Sequence, residues 1–350
     1  MDQALRLDLR SLLSRAEAAA PVGVVDAMAA ALLEMLDAHD VSFLIADFSG
    51  RSLNRLGHTV ASVNSGSRSK ETSERVALEG TPYGEALARQ RSVVLREGDG
   101  TRILAPVTSR GEAVGVLELI LPYEPAPITV QDVELAAHQL AYMVIANRRY
   151  TDLFEWGQRT VPLSLAAEIQ RRLLPAAFTC EADQFTLAAW LELAGQVGGD
   201  TFDFSLDRNT LHMSMTDAMG HTVESALLAT LVVGALRNAR RRGAGLVEQA
   251  QSAHEALLSH AAQGGFVTGQ LLRVDLVAQS ACVLNAGHPR PFRLRDGRAD
   301  EIDLAANQPF GLTTGASWSE QEFPLAAGDR VIFLTDGMLE RNAASLDIPR

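Results

Sequence analysis

Cysteine is almost missing from this chain of 350 residues, with Cys180 and Cys282 the two present. That is too few for a disulfide framework and agrees with a reducing compartment. Neither is followed six residues later by arginine, which excludes a cysteine-nucleophile phosphate loop. Long hydrophobic runs are lacking as well. The longest uncharged apolar run, 226–236, ends at Arg237 and falls far short of the roughly 20 residues a membrane helix needs. The N-terminus, MDQALRLDLRSLL, has neither the basic start nor the apolar core of a secretory signal, so a cytoplasmic protein with no membrane partner is expected. Positive charge is in deficit: 31 Lys and Arg against 43 Asp and Glu give a net charge of -12, which argues against a nucleic-acid or anionic-membrane partner. There is no GxxxxGK, no HExxH and no HRD with DFG, which removes P-loop, zincin and kinase chemistry. His254 and His260 in HEALLSH fall on different helix faces and make no zinc site.

What is present fits a folded chain of two domains. The mass is 37.6 kDa, with 47% hydrophobic and 21% charged residues, too long for one ordinary core. Val25, Met28, Ala31, Leu32, Met35 and Leu36 recur at helical spacing, and VSFLIADF at 41–48 reads as a strand. A polar interval at 61–74 precedes a short helix in YGEALARQ and the strands SVVL, RILAPVT and VGVLELIL, separated by turn-like GDG and SRGE. After the Pro-rich break at 122–132, with Thr129 or Asp132 as helix cap, the chain reads as helical to about Arg172, interrupted at Pro162. The segment 163–174 is a connector, a route for a signal or a plain spacer.

The second half begins near Pro175. TLHMSMTD alternates Leu211, Met213 and Met215 against polar residues, the period of a half-buried strand that delivers Asp217 to its end. Two helices are expected, over 221–242 and 245–262, then strands in FVTGQLLRVDL, ACVLNAG, PFRLRD and RVIFLTD. The order predicts stacked antiparallel sheets flanked by helices.

Three acidic turns carry the chemistry: GGDTFD at 198–203, TDAMGH at 216–221 and TDGMLE at 335–340. One such aspartate is ordinarily a cap or a turn. Three beside glycines and strands suit a hard divalent cation, which takes oxygen ligands and retains much of its water. Asp217 and Asp336 each end an apolar stretch, so their carboxylates are expected to converge at one sheet edge. Two metals would supply the nucleophile and charge neutralisation that phosphate-ester hydrolysis requires.

EIQRRLLP at 168–175, VGGDTFD, TDAMGHT followed by SALLATL, FVTGQLLRVD, NAGHPRP, QPFGL and GDRVIFLTDGMLE stand in one order across 165–350. Together they resemble the SpoIIE/RsbU branch of the PPM (PP2C-like) serine/threonine phosphatases. The resemblance implies an α-β-β-α sandwich with a centre of two Mn²⁺ or Mg²⁺ ions. Carried over, it makes Asp200, Asp217 and Asp336 metal ligands, with the carbonyl of Ala218 a further one. It places His221 at the substrate phosphate or leaving group, gives Asp203 a weaker claim, and leaves His288 more often a turn or packing residue. Thr222 stands where the family has glycine and reads as a capping residue. The family's later acidic strand has no match after Asp336, so the phosphatase region reads as lacking its C-terminal end.

Residues 15–148 resemble a GAF sensor domain through ALLEMLDAHDVSFLIADFSG, TPYGEALARQRSVV, ILAPV and VGVLELI. The expected layout is an α+β chain: GAF-like domain at 15–148, helical connector at 149–175, phosphatase domain at 176–350. The resemblance implies a phosphorylated STAS-type anti-sigma factor antagonist as substrate and a small-molecule ligand for the GAF-like domain. The connector suggests a homodimer. The rival expectation is a phosphatase-like scaffold that binds a partner without turnover.

Overall fold

A computed structural model of the chain describes residues 6–60, 74–160, 162–191, 199–220, 222–260 and 265–339. The chain divides into two compact units. The first comprises Met1–Pro162 and Thr179–Ala188, the second Leu163–Phe178 and Ala189–Arg350.

The first unit runs α1 (Leu9–Ala18), α2 (Val24–Met35), β1 (Asp40–Ala46), β2 (Ser52–Val60), β3 (Arg75–Ala77), α3 (Pro82–Arg89), β4 (Val93–Glu97), β5 (Gly100–Ser109), β6 (Glu112–Leu121), α4 (Pro127–Asn147) and α5 (Leu153–Gln158). Its sheet is antiparallel, in the order β3-β2-β1-β6-β5-β4. β1, β5 and β6 read as nearly continuous apolar runs because both faces are covered. On one face Phe43, Ile45, Ile103 and Leu117 pack with Met28, Leu32 and Leu140 of the helices. On the other, Leu44, Leu53, Leu104 and Val116 lie with Ala86 and Leu87 of α3. That second face also holds the buried Glu118, which accepts from Tyr83 (2.7 Å) and pairs with Arg55 (2.7 Å) and Arg102 (3.0 Å).

Neither expected cap closes α4. The N-cap position is Ala126, with Pro127 in the first turn, where its missing N–H costs nothing. Asp132 instead accepts from Arg6 Nε (2.8 Å) and the Leu7 amide (3.1 Å), fastening the segment before α1.

After α5 comes α6 (Leu165–Leu173), which opens the second unit with Ser164 capping it through the Ala167 amide. The chain then returns to the first unit in a hairpin of β7 (Thr179–Ala182) and β8 (Phe185–Ala188). There the Glu181 amide donates to the Arg110 carbonyl at the β5–β6 turn (3.0 Å). The motif order groups this hairpin with the second half, but its contacts place it in the first.

The second unit continues through β9 (Asp200–Leu206), β10 (Thr210–Ala218), α7 (Val223–Arg241), α8 (Leu246–His260), β11 (Val267–Asp275), β12 (Ser280–Ala286), β13 (Phe292–Arg295), β14 (Arg298–Glu301), β15 (Gln321–Pro324) and β16 (Arg330–Ile332). It forms a larger sheet, β15-β12-β11-β10-β9, and a smaller one, β14-β13-β16, both antiparallel. The expected class of antiparallel sheets with helices holds for both units. Ala229, Val232 and Leu236 of α7 and Leu246, Ala250, Ala253 and Leu257 of α8 bury against Ala218, Val267, Leu271 and Leu284. Each such leucine contributes about 1.5–3 kcal/mol on leaving water.

The helices cover the face of β10 that carries Ala218. Ala218 is buried beneath them, while on the face that Asp217 shares Leu211 is buried and Met213 and Met215 are half-buried. Thr222 occupies the N-cap position of α7 without bonding the helix backbone. Its hydroxyl donates to Glu224 instead. Among the described residues no helix is long and apolar enough to cross a membrane.

Candidate metal centre

Asp200 opens β9 and Asp217 lies next to the end of β10, and the two are direct partners across the antiparallel ladder. Like charges so placed repel, so the pair favours a shared proton or a cation between them. Burial first, then the charges of Asp200 and Asp336, push the Asp217 carboxyl up to about 7. Burial also raises Asp200, opposed by the Thr335 hydroxyl, which donates to its Oδ2 at 3.1 Å. A buried carboxylate pair that holds a proton near neutrality is a place where a divalent cation gains by displacing it.

Glycine makes the approach possible. A Cβ on Gly199 would sit 2.4 Å from the Ala218 carbonyl oxygen and 3.2 Å from Asp217 Oδ1. The Ala218 amide donates to the Gly199 carbonyl (3.2 Å), so the strand ends close against one another. The chain leaves through Gly220 at φ +96°, a conformation glycine adopts without strain. On the neighbouring strand Thr268 faces Asp217, and its hydroxyl lies 3.1 Å from His288 Nδ1. His288 is buried in a turn that Asn285 closes from both sides (2.8 and 3.0 Å). Burial pushes its imidazole down to about 4, against the charge of Asp336. It is therefore neutral at neutral pH, and its bonds are those of a turn residue.

The expected residues divide clearly. Asp200 and Asp217 meet, and the Ala218 backbone lies beside them. Asp336 does not end a strand: β16 stops at Ile332, and Asp336 is exposed in a short helical turn beyond it. It comes from the smaller sheet's side, so the expected convergence at one sheet edge gives way to an approach from two sheets. Its charge nonetheless raises both partners. Asp203 is three residues from Asp200 and so faces the other way along the strand. There it pairs with Arg237 (2.8 Å) and Arg240 (2.9 Å) of α7, which rules it out as a companion ligand. His221 lies outside the described residues.

Among the described residues no three His, Cys, Asp or Glu side chains cluster as a ready-made cage. The donors fit a cation held by a carboxylate pair and completed by backbone oxygen and water, as Mg²⁺ favours. Two further residues escaped the sequence reading. Thr335 orients Asp200, and Gln170 of α6 donates to the Asp200 carbonyl (2.5 Å). The usable signal for Gln170 was its spacing: Ala166, Ala167 and Gln170 form the buried stripe of α6.

The family "Stage II sporulation protein E (SpoIIE)" matches residues 207–348, a span that contains Asp217 and Asp336 but starts after Asp200. The GAF domain family matches residues 21–146. Phosphoserine phosphatase RsbP of Bacillus subtilis is 21% identical over 187 residues, covering 52% of this chain and 46% of RsbP; the match thus spans about half the length of that relative. A solved structure of RsbU and RsbW domains from Mycobacterium tuberculosis is 25% identical over 43% of this chain and 44% of that one, with a TM-score of 0.38. The PP2C phosphatase domain of SpoIIE from Bacillus subtilis is 22% identical over 42% and 43% of the two chains, with a TM-score of 0.38. The chain thus matches the GAF domain family over 21–146 and the SpoIIE family over 207–348, and is similar to the phosphatase RsbP.

Proposed function

We propose that the second unit is a metal-dependent phosphatase that hydrolyses phosphoserine or phosphothreonine on a regulatory protein under control of the GAF domain. The observation that carries this is the Asp200–Asp217 pair, two acidic residues that face each other across the β9–β10 ladder, with burial, then the charges of Asp200 and Asp336, raising the Asp217 carboxyl. Asp200, Asp217, Asp336 and the Ala218 carbonyl would hold Mn²⁺ or Mg²⁺, two ions in all. When bound, the ions supply Lewis acidity and charge neutralisation for attack of water on phosphorus. The Thr335 hydroxyl fixes one Asp200 oxygen, Gly199 keeps the strand ends close, and His221 is assigned the proton for the departing serine oxygen.

The substrate proposed is the phosphorylated STAS-type anti-sigma factor antagonist of the host, which dephosphorylation would release to free a sigma factor. The name of the relative RsbP, a phosphoserine phosphatase, supports phosphoserine as the group removed. The protein is assigned to the cytoplasm as a homodimer joined through its connector, with a small-molecule ligand in the GAF domain. The rival, a scaffold without turnover, draws on the exposure of Asp336 and on the lack of a three-ligand cluster among the described residues.

One experiment separates these readings. Full-length protein with Mn²⁺ should release phosphate from a phosphorylated STAS protein and stop in EDTA. Hydrolysis of p-nitrophenyl phosphate without release from any host phospho-STAS protein refutes the substrate. No metal-dependent turnover of either refutes the enzyme.

A further inference from the structure

The face of the larger sheet that carries Asp217 also carries a row of polar side chains. Thr268 is the ladder partner of Asp217 on β11, and Gln270, two residues on, points the same way. Gln270 in turn opposes Asn285 on β12, and both are buried, as is His288 in the turn that follows. Gln270 Nε2 donates to the Pro289 carbonyl (2.7 Å), and Asn285 bonds the His288 amide and carbonyl. The turn is thus held from two strands through its backbone alone. Neither hold uses the imidazole, which rests against Thr268 through Nδ1 (3.1 Å).

What the ring adds lies on its other side. Pairing between β13 and β16 ends where Phe292 meets Ile332, and counted outward from there His288 and Asp336 stand equally far along their chains. The charge of Asp336 and the carbonyl of Leu334 both act on the imidazole, so the segment that leaves β16 passes beside it. Thr335, the next residue of that segment, donates to Asp200 Oδ2 (3.1 Å). A neutral imidazole has one N–H and a carbonyl can only accept, which puts the ring proton on Nε2 and makes Nδ1 the acceptor for the Thr268 hydroxyl. Nε2 is buried with no full hydrogen bond elsewhere, which leaves the Leu334 carbonyl as its acceptor.

We propose that His288 is a positioning residue that links the two sheets of the second unit: Thr268, opposite Asp217, orients the ring at Nδ1, and Nε2–H holds the Leu334 carbonyl, so that Thr335 and Asp336 reach the Asp200–Asp217 pair. This rests on the reading of that pair as cation ligands.

The test uses the full chain and two variants that divide the ring. His288→Asn keeps an amide near Nδ1 and has nothing at Nε2, whereas His288→Gln places its amide nitrogen near Nε2. In calorimetric titration His288→Asn should weaken Mn²⁺ binding about tenfold, a loss of about 1.4 kcal/mol, and His288→Gln should restore most of it. A residue that only shapes the turn would lower the urea midpoint in both variants and leave Mn²⁺ affinity at the parent value. That result, or an equal fall in affinity for both variants, overturns the proposal. Where His288→Asn does not fold, Thr268→Val decides: it should weaken Mn²⁺ binding in the parent and not in His288→Gln, while an equal loss in both, or none in the parent, overturns the proposal. Should the parent itself bind no Mn²⁺, the metal reading falls, and imidazole ¹⁵N NMR of the metal-free chain decides the role of His288. A proton on Nε2 in contact with Leu334 sustains it; a proton on Nδ1, or no such contact, overturns it.

Discussion

Replacing Asp217 by asparagine should make the metal-free protein more stable at pH 8 and leave it nearly unchanged at pH 4, while abolishing metal-dependent turnover. The reasoning starts from the carboxyl, held at about 7 in the folded chain against an ordinary 3.8. Between those values the folded state binds a proton that the unfolded state has released. Stability present below about pH 4 is therefore lost as pH rises through 7. At about 1.36 kcal/mol for each pH unit, the gap of roughly three units gives an upper limit near 4 kcal/mol. The site is partly open to water, and screening brings the expected loss to about 2 kcal/mol. Asparagine keeps the shape and cannot ionise, so the loss disappears in the variant. Urea unfolding in EDTA at pH 4.5, 6 and 8 measures it: the variant's advantage should grow from near zero to about 2 kcal/mol. Adding Mn²⁺ at pH 8 should reverse the order, because a cation bound only by the folded parent raises its stability in proportion to the logarithm of metal concentration. An advantage that does not change with pH, or a variant that Mn²⁺ stabilises as much as the parent, would refute the account.

Four other outcomes follow from the same coordinates. Asp203→Ala leaves Arg237 and Arg240 without their shared partner and should cost about 3 kcal/mol; its Mn²⁺ affinity by calorimetry should stay at the parent value, and a large fall would return Asp203 to the metal site. Gly199→Ala drives a Cβ to 2.4 Å from the Ala218 carbonyl, so it should cost about 1–3 kcal/mol and weaken Mn²⁺ binding, with parental values for both arguing against the close approach. Glu118→Gln removes the charge between Arg55 and Arg102 and should lower the stability of the first unit by about 3 kcal/mol in urea unfolding, an unchanged midpoint being the contrary result. His288, held down to about 4 chiefly by burial, should show no ring titration by NMR between pH 5 and 8. Its contribution to stability, present above about pH 6.5, is lost as pH falls toward 4; a midpoint near 6.5 would show that it is solvated.

The elements that the sequence announced are those with a strong local period. α2, α7, α8 and the strands β1, β5, β6, β10 and β11 each combine a clear apolar pattern with turn residues at their ends, and each forms. What pattern could not announce was the choice of face. On β10 the stripe of Leu211, Met213 and Met215 marks one face, with Leu211 buried, while the helices lie over the Ala218 face, where a small residue lets α7 come close. RVIFLTD looked like a full strand because it is apolar. Only Arg330–Ile332 pair: Ile332 meets Phe292 at the start of β13, and the residue before Phe292 is Pro291, which has no N–H to extend the ladder.

The candidate site follows the same division. Asp200 and Asp217 were legible because each stands at the end of a strand beside glycine, and neighbouring strands of an antiparallel sheet bring such ends together. Asp203 was misleading because its type matched while its parity did not. An odd separation along a strand sends two side chains to opposite faces, so the second acid of GGDTFD serves the arginines of α7 and braces the strand that presents the first. Gln170 and Thr335 were hidden for a different reason. Each acts on Asp200 from an element distant in sequence, through single hydrogen bonds that no spacing encodes. The residues that carry the proposed chemistry were therefore readable from local sequence, and those that aim it were not. The aiming residues are also the ones through which a change elsewhere in the chain can reach the pair, since moving α6 or the turn at Thr335 alters Asp200 without altering any ligand.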